Sequence, residues 1–439
     1  RNTEASKRTI YEGLHWLGLD PDEGPEQGGP AAPYAQSERD GLYRAFSAKL
    51  LERGGVYPCF CSKETLEAMR KHQTENRLTL RYDRRCRAVP RDEALRRAAT
   101  EPHTLRLNVP DGETVLKDLI RGDVTVKNED IEDIILVRTG GAVVYNLAVV
   151  FDDHHMGVTH VIRGEDHLTN TFKQIVIYKA MGWDVPQFAH LPLILAPAGE
   201  GKLSKRKHPE AALEHYQRKG YPVDALLNWI ALLGWSYDDK TEIMSRAELV
   251  ERFSLERVVS SGARLNLEKL DWMSGEYIRR MSLDEVLKQT LPRLSDAGLI
   301  GKTPSPPELE KATRVVAAEH GRLRYWSQIV ELAAWAFRAP EFEKKALENL
   351  KKRPDTAALL TAYAEQLPPA PWADAAALEA VARAFAASKG VGFGDLVHPV
   401  RAALTGRTTG PGLFDCHLIL GRDETLARLA EGARRASSS

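Results

Sequence analysis

The spacing of apolar residues changes character along the chain, and each change marks a new kind of element. Ile10, Leu14 and Leu17 fall on one face with Trp16 beside them, which predicts a helix within residues 1–20 that Gly18 stops. Gly and Pro crowd residues 20–34, so that stretch reads as a loop. A second helix is expected with Ser37 and Asp40 as candidate caps and Leu42, Phe46, Leu50 and Leu51 as its apolar positions. A third runs from about Lys63 to His72. Between about 90 and 135 alternation replaces helical spacing. Thr104 to Val109 is a period-two strand, Val115 to Val126 reads as strand and turn broken at Gly122, and Ile134 to Val137 is another strand closed by Gly140-Gly141.

Parallel-sheet character follows. Tyr145 to Phe151 is an apolar run, expected to be a strand, and ends in Asp152-Asp153-His154-His155. His160 to Asp166 looks like a strand with polar residues at its carboxyl end, then come a helix from about Thr169 to Met181 and a strand over Leu191–Leu195. Strands alternating with helices argue a doubly wound sheet, in which ligands sit beyond the carboxyl ends of the strands. That places Arg163, Gly164, Glu165, Asp166 and the 202–206 loop along one rim. Residues 207–285 read as mainly helical, with Pro222 opening a helix through Leu226, Trp229 and Leu233, and Leu265 to Met273 leading into another. After Thr303-Pro304-Ser305-Pro306-Pro307 the pattern is helix after helix, broken again at Pro368-Pro369-Ala370-Pro371.

At 439 residues the chain is too long for one ordinary core. No apolar run reaches the length of a membrane span, and Arg1-Asn2-Thr3-Glu4 has no signal pattern. The 61 basic and 61 acidic residues cancel, so a nucleic-acid partner would have to be held by local basic patches. Three of the four cysteines lie within residues 59–86, which fits a reducing cytosol and a metal rather than a disulfide framework.

Candidate chemistry concentrates in two places. Lys202-Leu203-Ser204-Lys205-Arg206 follows an apolar strand and a glycine-flanked turn, and its two lysines and hydroxyl can bracket a phosphate as charge develops on it. Cys59 and Cys61, with Cys86 brought back by a helical hairpin, can supply three tetrahedral zinc ligands. Tyr82, His72 and water are each possible as the fourth, and buried unligated cysteines are the plainer alternative. The Asp152–His155 run looks like a metal site but reads better as structural. Trp235 and Trp272 read as core residues, and the lysines and arginines at 344–353 as a solvated helix face.

Read together, these segments resemble a bacterial glutamyl-tRNA synthetase of class I. Lys202 to Arg206 looks like its KMSKS loop, and Tyr145 through His167 is similar to its second Rossmann half. Leu267-Glu268-Lys269-Leu270 with Trp272-Met273 and Tyr277-Ile278-Arg279 resembles its stem-contact domain. Pro399 to Gly406 and Gly410 to Phe414 resemble its anticodon-binding bundle. The resemblance implies an α/β Rossmann-type catalytic domain with an inserted mixed α/β acceptor-binding domain, followed by mainly α-helical stem-contact and anticodon-binding domains. The expected boundaries are 1–57 and 137–201 for the two Rossmann halves and 58–136 for the insertion with its zinc site. Residues 202–285 would form the loop and stem-contact domain, with 286–367 and 368–439 as two anticodon-binding domains. The family opens with a strand, a HIGH-type motif and an Arg-Ile-Glu-Asp-Thr-Asp segment, and Arg1 stands where the last of these has just ended. The expectation is that those residues were lost from the start of the chain.

The resemblance further implies that glutamate is activated with ATP and Mg²⁺ and passed to tRNA(Glu) by a cytoplasmic monomer with no membrane partner. Lys202, Ser204 and Lys205 would act in catalysis. Tyr145 and Arg163 would hold glutamate, the guanidinium bidentately. Gly164, Glu165, Asp166, Ile194 and Lys205 would line the ATP site. Cys59, Cys61, Tyr82 and Cys86 would hold a structural Zn²⁺, with Tyr82 standing in where some relatives carry a histidine and this chain has Ala88. Two other readings stand beside it: an enzyme placing glutamate on a modified base, and a non-catalytic tRNA-binding paralogue.

Overall fold

The computed structural model describes residues 3–197, 201, 203, 207–367, 370, 372 and 374–437. They form two compact units, 1–203 with 231–265, and 204–230 with 266–439.

The first unit begins with α1 (Glu4–Leu17), which Thr3 caps by accepting from the Ser6 amide and Gly18 ends in a left-handed conformation (φ 62°). α2 (Asp40–Glu52) follows; Arg39, not Ser37 or Asp40, holds its N-cap position, and Ser37 lies in a short 3₁₀ turn before it. Asp40 instead occupies the first turn, where the helix dipole favours an acid. Then come β1 (Val56–Cys59), α3 (Lys63–Glu75), α4 (Arg91–Ala98), β2 (Thr104–Leu107), β3 (Glu113–Asp118), β4 (Gly122–Lys127) and β5 (Ile135–Val137). α5 (Tyr145–His155), β6 (His160–Gly164), α6 (Leu168–Met181), β7 (Gln187–Leu191) and β8 (Ile194–Leu195) complete the run. Later in the chain α9 (Arg246–Arg252) and β9 (Ala263–Arg264) return to this unit, after α7 (Leu213–Lys219) and α8 (Val223–Ala231).

The strands do not make one doubly wound sheet. β1-β2-β5 is antiparallel, β8 pairs parallel with β9, and the order β4-β3-β7-β6 is mixed, with parallel pairing only between β3 and β7 and between β7 and β6. Two local causes account for this. Tyr145 to Phe151, expected as a strand, is the start of helix α5; its buried Leu147, Ala148 and Asp152 recur at helical spacing, which a short apolar run does not distinguish from a strand. The expected 191–195 strand breaks at Pro192, which has no N–H to donate, into β7 and β8. Within the mixed sheet, β6-α6-β7 is a β–α–β unit. The core beneath it joins Phe46 and Leu50 of α2, Leu116 of β3, Leu147 and Val150 of α5, Ile175–Tyr178 of α6 and Phe188 of β7. Strand β3, within residues 58–136, thus shares a sheet with β6 and β7.

The second unit is helical. α10 (Leu267–Arg280), α11 (Leu283–Asp296), α12 (Pro306–Glu319), α13 (Gln328–Phe337), α14 (Lys344–Lys351), α15 (Thr356–Gln366), α16 (Ala375–Ser388), α17 (Phe393–Thr405) and α18 (Leu413–Ser437, bent at Gly421) follow α7 and α8. The 303–307 stretch opens α12: Ser305 and Glu308 form a reciprocal capping box. The expected break at 368–371 lies mostly outside the described residues. Trp235 is buried in the first unit as expected, but Trp272 is 41% exposed in the second, because α10 buries Leu270 and Met273 instead.

Candidate active site and metal centre

The carboxyl ends of β6 and β7 form the rim that carries the site. Arg163 stands opposite His190 and Gly164 opposite Leu191 in that parallel pair. The Arg163 guanidinium is extensively oriented. Its Nε donates to His190 Nε2 (3.2 Å), and Nη2 donates to Thr171 Oγ1 (2.6 Å) and Gln174 Oε1 (2.7 Å). Its Cζ lies 5.5 Å from the Phe188 ring centroid. Among the described residues no carboxylate forms an ion pair with it. Burial lowers its pKa, while the charges of Tyr145 and Asp153 and a hydrogen bond with Tyr145 favour the cation. Nε and Nη2 are thus engaged by His190, Thr171 and Gln174, with the Tyr145 hydroxyl beside the same guanidinium.

Behind Arg163 sits a buried pair. Asp118, last residue of β3, accepts from His190 Nδ1 through Oδ2 at 2.6 Å, and both side chains are fully buried. Asp118 Oδ1 accepts from the amides of Ile120 (3.0 Å), Arg121 (3.0 Å) and His190 (3.3 Å). Burial works to raise the Asp118 pKa, but these hydrogen bonds prevail and hold it below the usual carboxylate range. Burial depresses the His190 pKa.

Tyr145 opens α5, half exposed, its hydroxyl 3.3 Å from His167 Nδ1. Gly164 ends β6, and Glu165 and Asp166 fall in the 3₁₀ turn after it. Glu165 is spoken for: its carboxylate pairs with Arg121, and Oε1 accepts the Leu193 amide at 3.0 Å. It ties the rim to the segment leading into β8, where half-exposed Ile194 lies. Leu203 returns to that segment, its amide donating to Ile194 O at 3.2 Å. Lys202, Ser204 and Lys205 lie outside the described residues. Arg163, Gly164, Glu165, Ile194 and Leu203 are thus linked on one rim by sheet register and hydrogen bonds.

The Asp152 run behaves as a structural anchor. Asp152 pairs with fully buried Arg39 at 2.8 Å and accepts from Tyr43 Oη (2.8 Å) and Gln36 Nε2 (2.9 Å), while His154 stacks on Trp183 at 3.6 Å. Asp153 is different: burial pushes its carboxyl up to about 6.

The cysteine cluster forms where the loop after β1 meets the turn at 82–86. Arg84 takes a left-handed backbone (φ 61°), held by its 3.1 Å ion pair to buried Asp133, and this turns Cys86 back toward β1. The Sγ atoms of Cys59, Cys61 and Cys86 all lie within 4.8 Å of one another. Cys61 and Cys86 Sγ are 3.6 Å apart, and the Tyr82 hydroxyl is 3.4 Å from Cys59 Sγ and 3.5 Å from Cys61 Sγ. Zinc–ligand lengths require about 3.8 Å between sulfurs and about 3.5 Å between sulfur and oxygen in a tetrahedron. The three sulfurs are therefore spaced to fit a zinc ion, and the Tyr82 hydroxyl lies at sulfur–oxygen ligand distance from two of them. His72 is exposed and hydrogen-bonds Asn76 instead. The hydrogen bond with Cys86 pulls the Cys59 thiol down to about 4, with Tyr82 and Arg106 assisting, and drives the Cys86 thiol up. Sequence reading missed Arg106, whose Nε donates to Cys59 Sγ (3.3 Å) and whose guanidinium covers the Tyr82 ring at 3.8 Å. In the period-two pattern of β2 it alternates with Leu105 and Leu107, so the sequence assigns it to the polar face, whereas the structure buries it.

Residues 1–272 match the family model of class I tRNA synthetases (E and Q), catalytic domain, and residues 284–433 match an anticodon binding domain. The glutamate–tRNA ligase of Moorella thermoacetica is 42% identical over 438 residues, covering 99% of this chain and 89% of that protein. The chain belongs to the glutamate–tRNA ligase family. The glutamate–tRNA ligase of Roseiflexus sp. is likewise 42% identical, over 449 residues and 88% of its length. Among solved structures, a glutamate tRNA ligase from Elizabethkingia meningosepticum in complex with its amino acid superposes with a TM-score of 0.86 at 32% identity, over 99% of this chain and 90% of that one. The family assignment matches the resemblance read from the motifs. It also gives the mixed sheets their meaning: they belong to a class I catalytic domain, and the helical unit carries the anticodon-binding match.

Proposed function

We infer that this chain joins L-glutamate to the 3′ end of tRNA(Glu) with ATP, through a glutamyl-adenylate. The observation that carries the choice of amino acid is the half-buried Arg163, oriented by three partners and lacking a protein carboxylate among the described residues. Such a cation suits an acidic ligand. The α-carboxylate oxygen of glutamate attacks the α-phosphate, expelling pyrophosphate; the 2′-hydroxyl of the terminal adenosine then takes the glutamyl group and AMP leaves. No enzyme nucleophile is needed, so the protein positions groups and stabilises charge.

In this reading Arg163 Nη1 and the Tyr145 hydroxyl hold the glutamate carboxylate. Gly164 and Asp166 border the adenosine with Ile194, while Glu165 braces the rim through Arg121 and Leu193. Lys202 and Lys205 stabilise the transferring phosphates and Ser204 donates to them. Mg²⁺ bound with ATP neutralises phosphate charge. Cys59, Cys61, Tyr82 and Cys86 would hold a structural Zn²⁺ that fixes the 59–86 hairpin. The enzyme works as a cytoplasmic monomer. The anticodon-domain match over residues 284–433 weighs against glutamate transfer to a modified base.

The test is charging of tRNA(Glu) with labelled glutamate by the full-length protein, followed as acid-precipitable counts, together with ATP–pyrophosphate exchange. The reading expects both, dependent on glutamate; absence of charging with every tRNA(Glu) preparation would remove it.

A further inference from the structure

Arg163 is set by a partner it does not touch. A carboxylate only accepts hydrogen bonds, so the 2.6 Å contact from Asp118 Oδ2 fixes the proton of His190 on Nδ1. Nε2 is then an acceptor shared by two groups, the Arg163 Nε–H at 3.2 Å and the Thr171 hydroxyl at 2.9 Å. With the proton on Nε2, two donors would face each other across that distance. The other carboxylate oxygen is no freer, since three backbone amides converge on it. One of those amides belongs to Arg121, whose side chain pairs with Glu165 on the rim. Asp118 therefore stands at the root of both the arginine and the brace beside it.

We propose that Asp118 is a positioning residue for amino-acid recognition, acting by fixing the His190 tautomer that orients the Arg163 guanidinium. This rests on the reading of Arg163 as the glutamate-binding group. The substitution that isolates it is Asp118→Asn. An amide must either turn its NH₂ toward His190, which moves the imidazole proton to Nε2 and opposes Arg163, or turn it toward three backbone donors. The fold's volume is unchanged; the polarity at Arg163 is inverted.

The experiment measures KM for glutamate and for ATP, with tRNA(Glu) present, in the full chain and in Asp118→Asn, His190→Leu and Arg163→Gln. Misorientation of a binding group by about 1 Å costs on the order of 100-fold. The expected result is a rise in the glutamate KM of about 10- to 100-fold in Asp118→Asn and His190→Leu, with the ATP KM within about 3-fold. Either of the two variants suffices if the other does not fold. A glutamate KM unchanged in both overturns the proposal. So does a parallel rise in both KM values with a lowered unfolding midpoint, which is the signature of general damage. Arg163→Gln separates the causes: if it raises the glutamate KM while Asp118→Asn does not, only the positioning role fails; if it too leaves that KM unchanged, the assignment of Arg163 fails first.

Discussion

The two compact units bury polar groups to opposite ends. In the unit of 1–203 with 231–265, buried charges come in linked sets: Arg39 with Asp152 and Tyr43, Arg84 with Asp133 and Tyr57, Asp118 with His190 and then Arg163. In the helical unit one apolar cluster runs from Ile278 to Ala433. Its buried polar groups tie helices together. Arg428 Nη1 donates to the carbonyls of Trp335 (2.6 Å) and Leu404 (2.7 Å), and Nη2 to that of Arg338 (3.0 Å), serving the ends of α13 and α17. Burying charge is expensive and fixes orientation only when every partner is supplied. The contrast teaches that at Asp118, His190 and Arg163 that cost goes to aiming a side chain, whereas at Arg428 it goes to joining helices.

The sharpest way to break this comparison is at the cysteine cluster. Cys59→Ser should lower bound zinc from about one ion per chain to a small fraction, measured by atomic emission. Isolated structural zinc sites contribute on the order of 10 kcal/mol to their own folding, so proteolysis should then open within 59–86 while the helical unit stays protected. Next is Arg428→Met. It leaves buried carbonyls without a donor and should destabilise the helical unit by about 3–5 kcal/mol in denaturant titration, with zinc content unchanged.

A smaller effect sharpens the comparison through pH. His417 is fully buried, with Nδ1 2.9 Å from Leu413 O and Nε2 3.3 Å from the Tyr363 hydroxyl. Burial depresses its pKa from 6.5 to about 4. A depressed histidine pKa means the unfolded chain binds the proton more readily. Its contribution is therefore intact above pH 6.5 and is lost as pH falls toward 4, by about 3 kcal/mol in all. His417→Gln should flatten that part of the stability–pH curve. The smallest effect is expected on the exposed face of α14. Lys344→Ala with Lys345→Ala should change stability by less than about 0.5 kcal/mol.

How much of this was readable in advance depends on sequence distance. The cysteines, Tyr82 and the residues from Arg163 to Asp166 lie in short stretches, where residue type, strand-end position and the family resemblance singled them out as candidates. Asp118 and His190 are 72 positions apart, and Arg106 lies 47 from Cys59; neither partnership leaves a local pattern. The errors were local ambiguities of another kind. Tyr145 to Phe151 has the composition of a buried strand, and tertiary packing made it a helix. The partners that orient Arg163 were not legible either, since the acceptors on Thr171 and Gln174 that engage Nη2 lie 8 and 11 positions away.

The central claim is that the remaining face of the Arg163 guanidinium receives the carboxylate of the amino acid. A crystal structure of this protein soaked with glutamate tests it most directly. The account predicts a carboxylate oxygen about 3 Å from Arg163 Nη1, with the Tyr145 hydroxyl on the same group. Glutamate bound with its carboxylates away from Arg163, or an Arg163 that abandons His190 on binding, would contradict it.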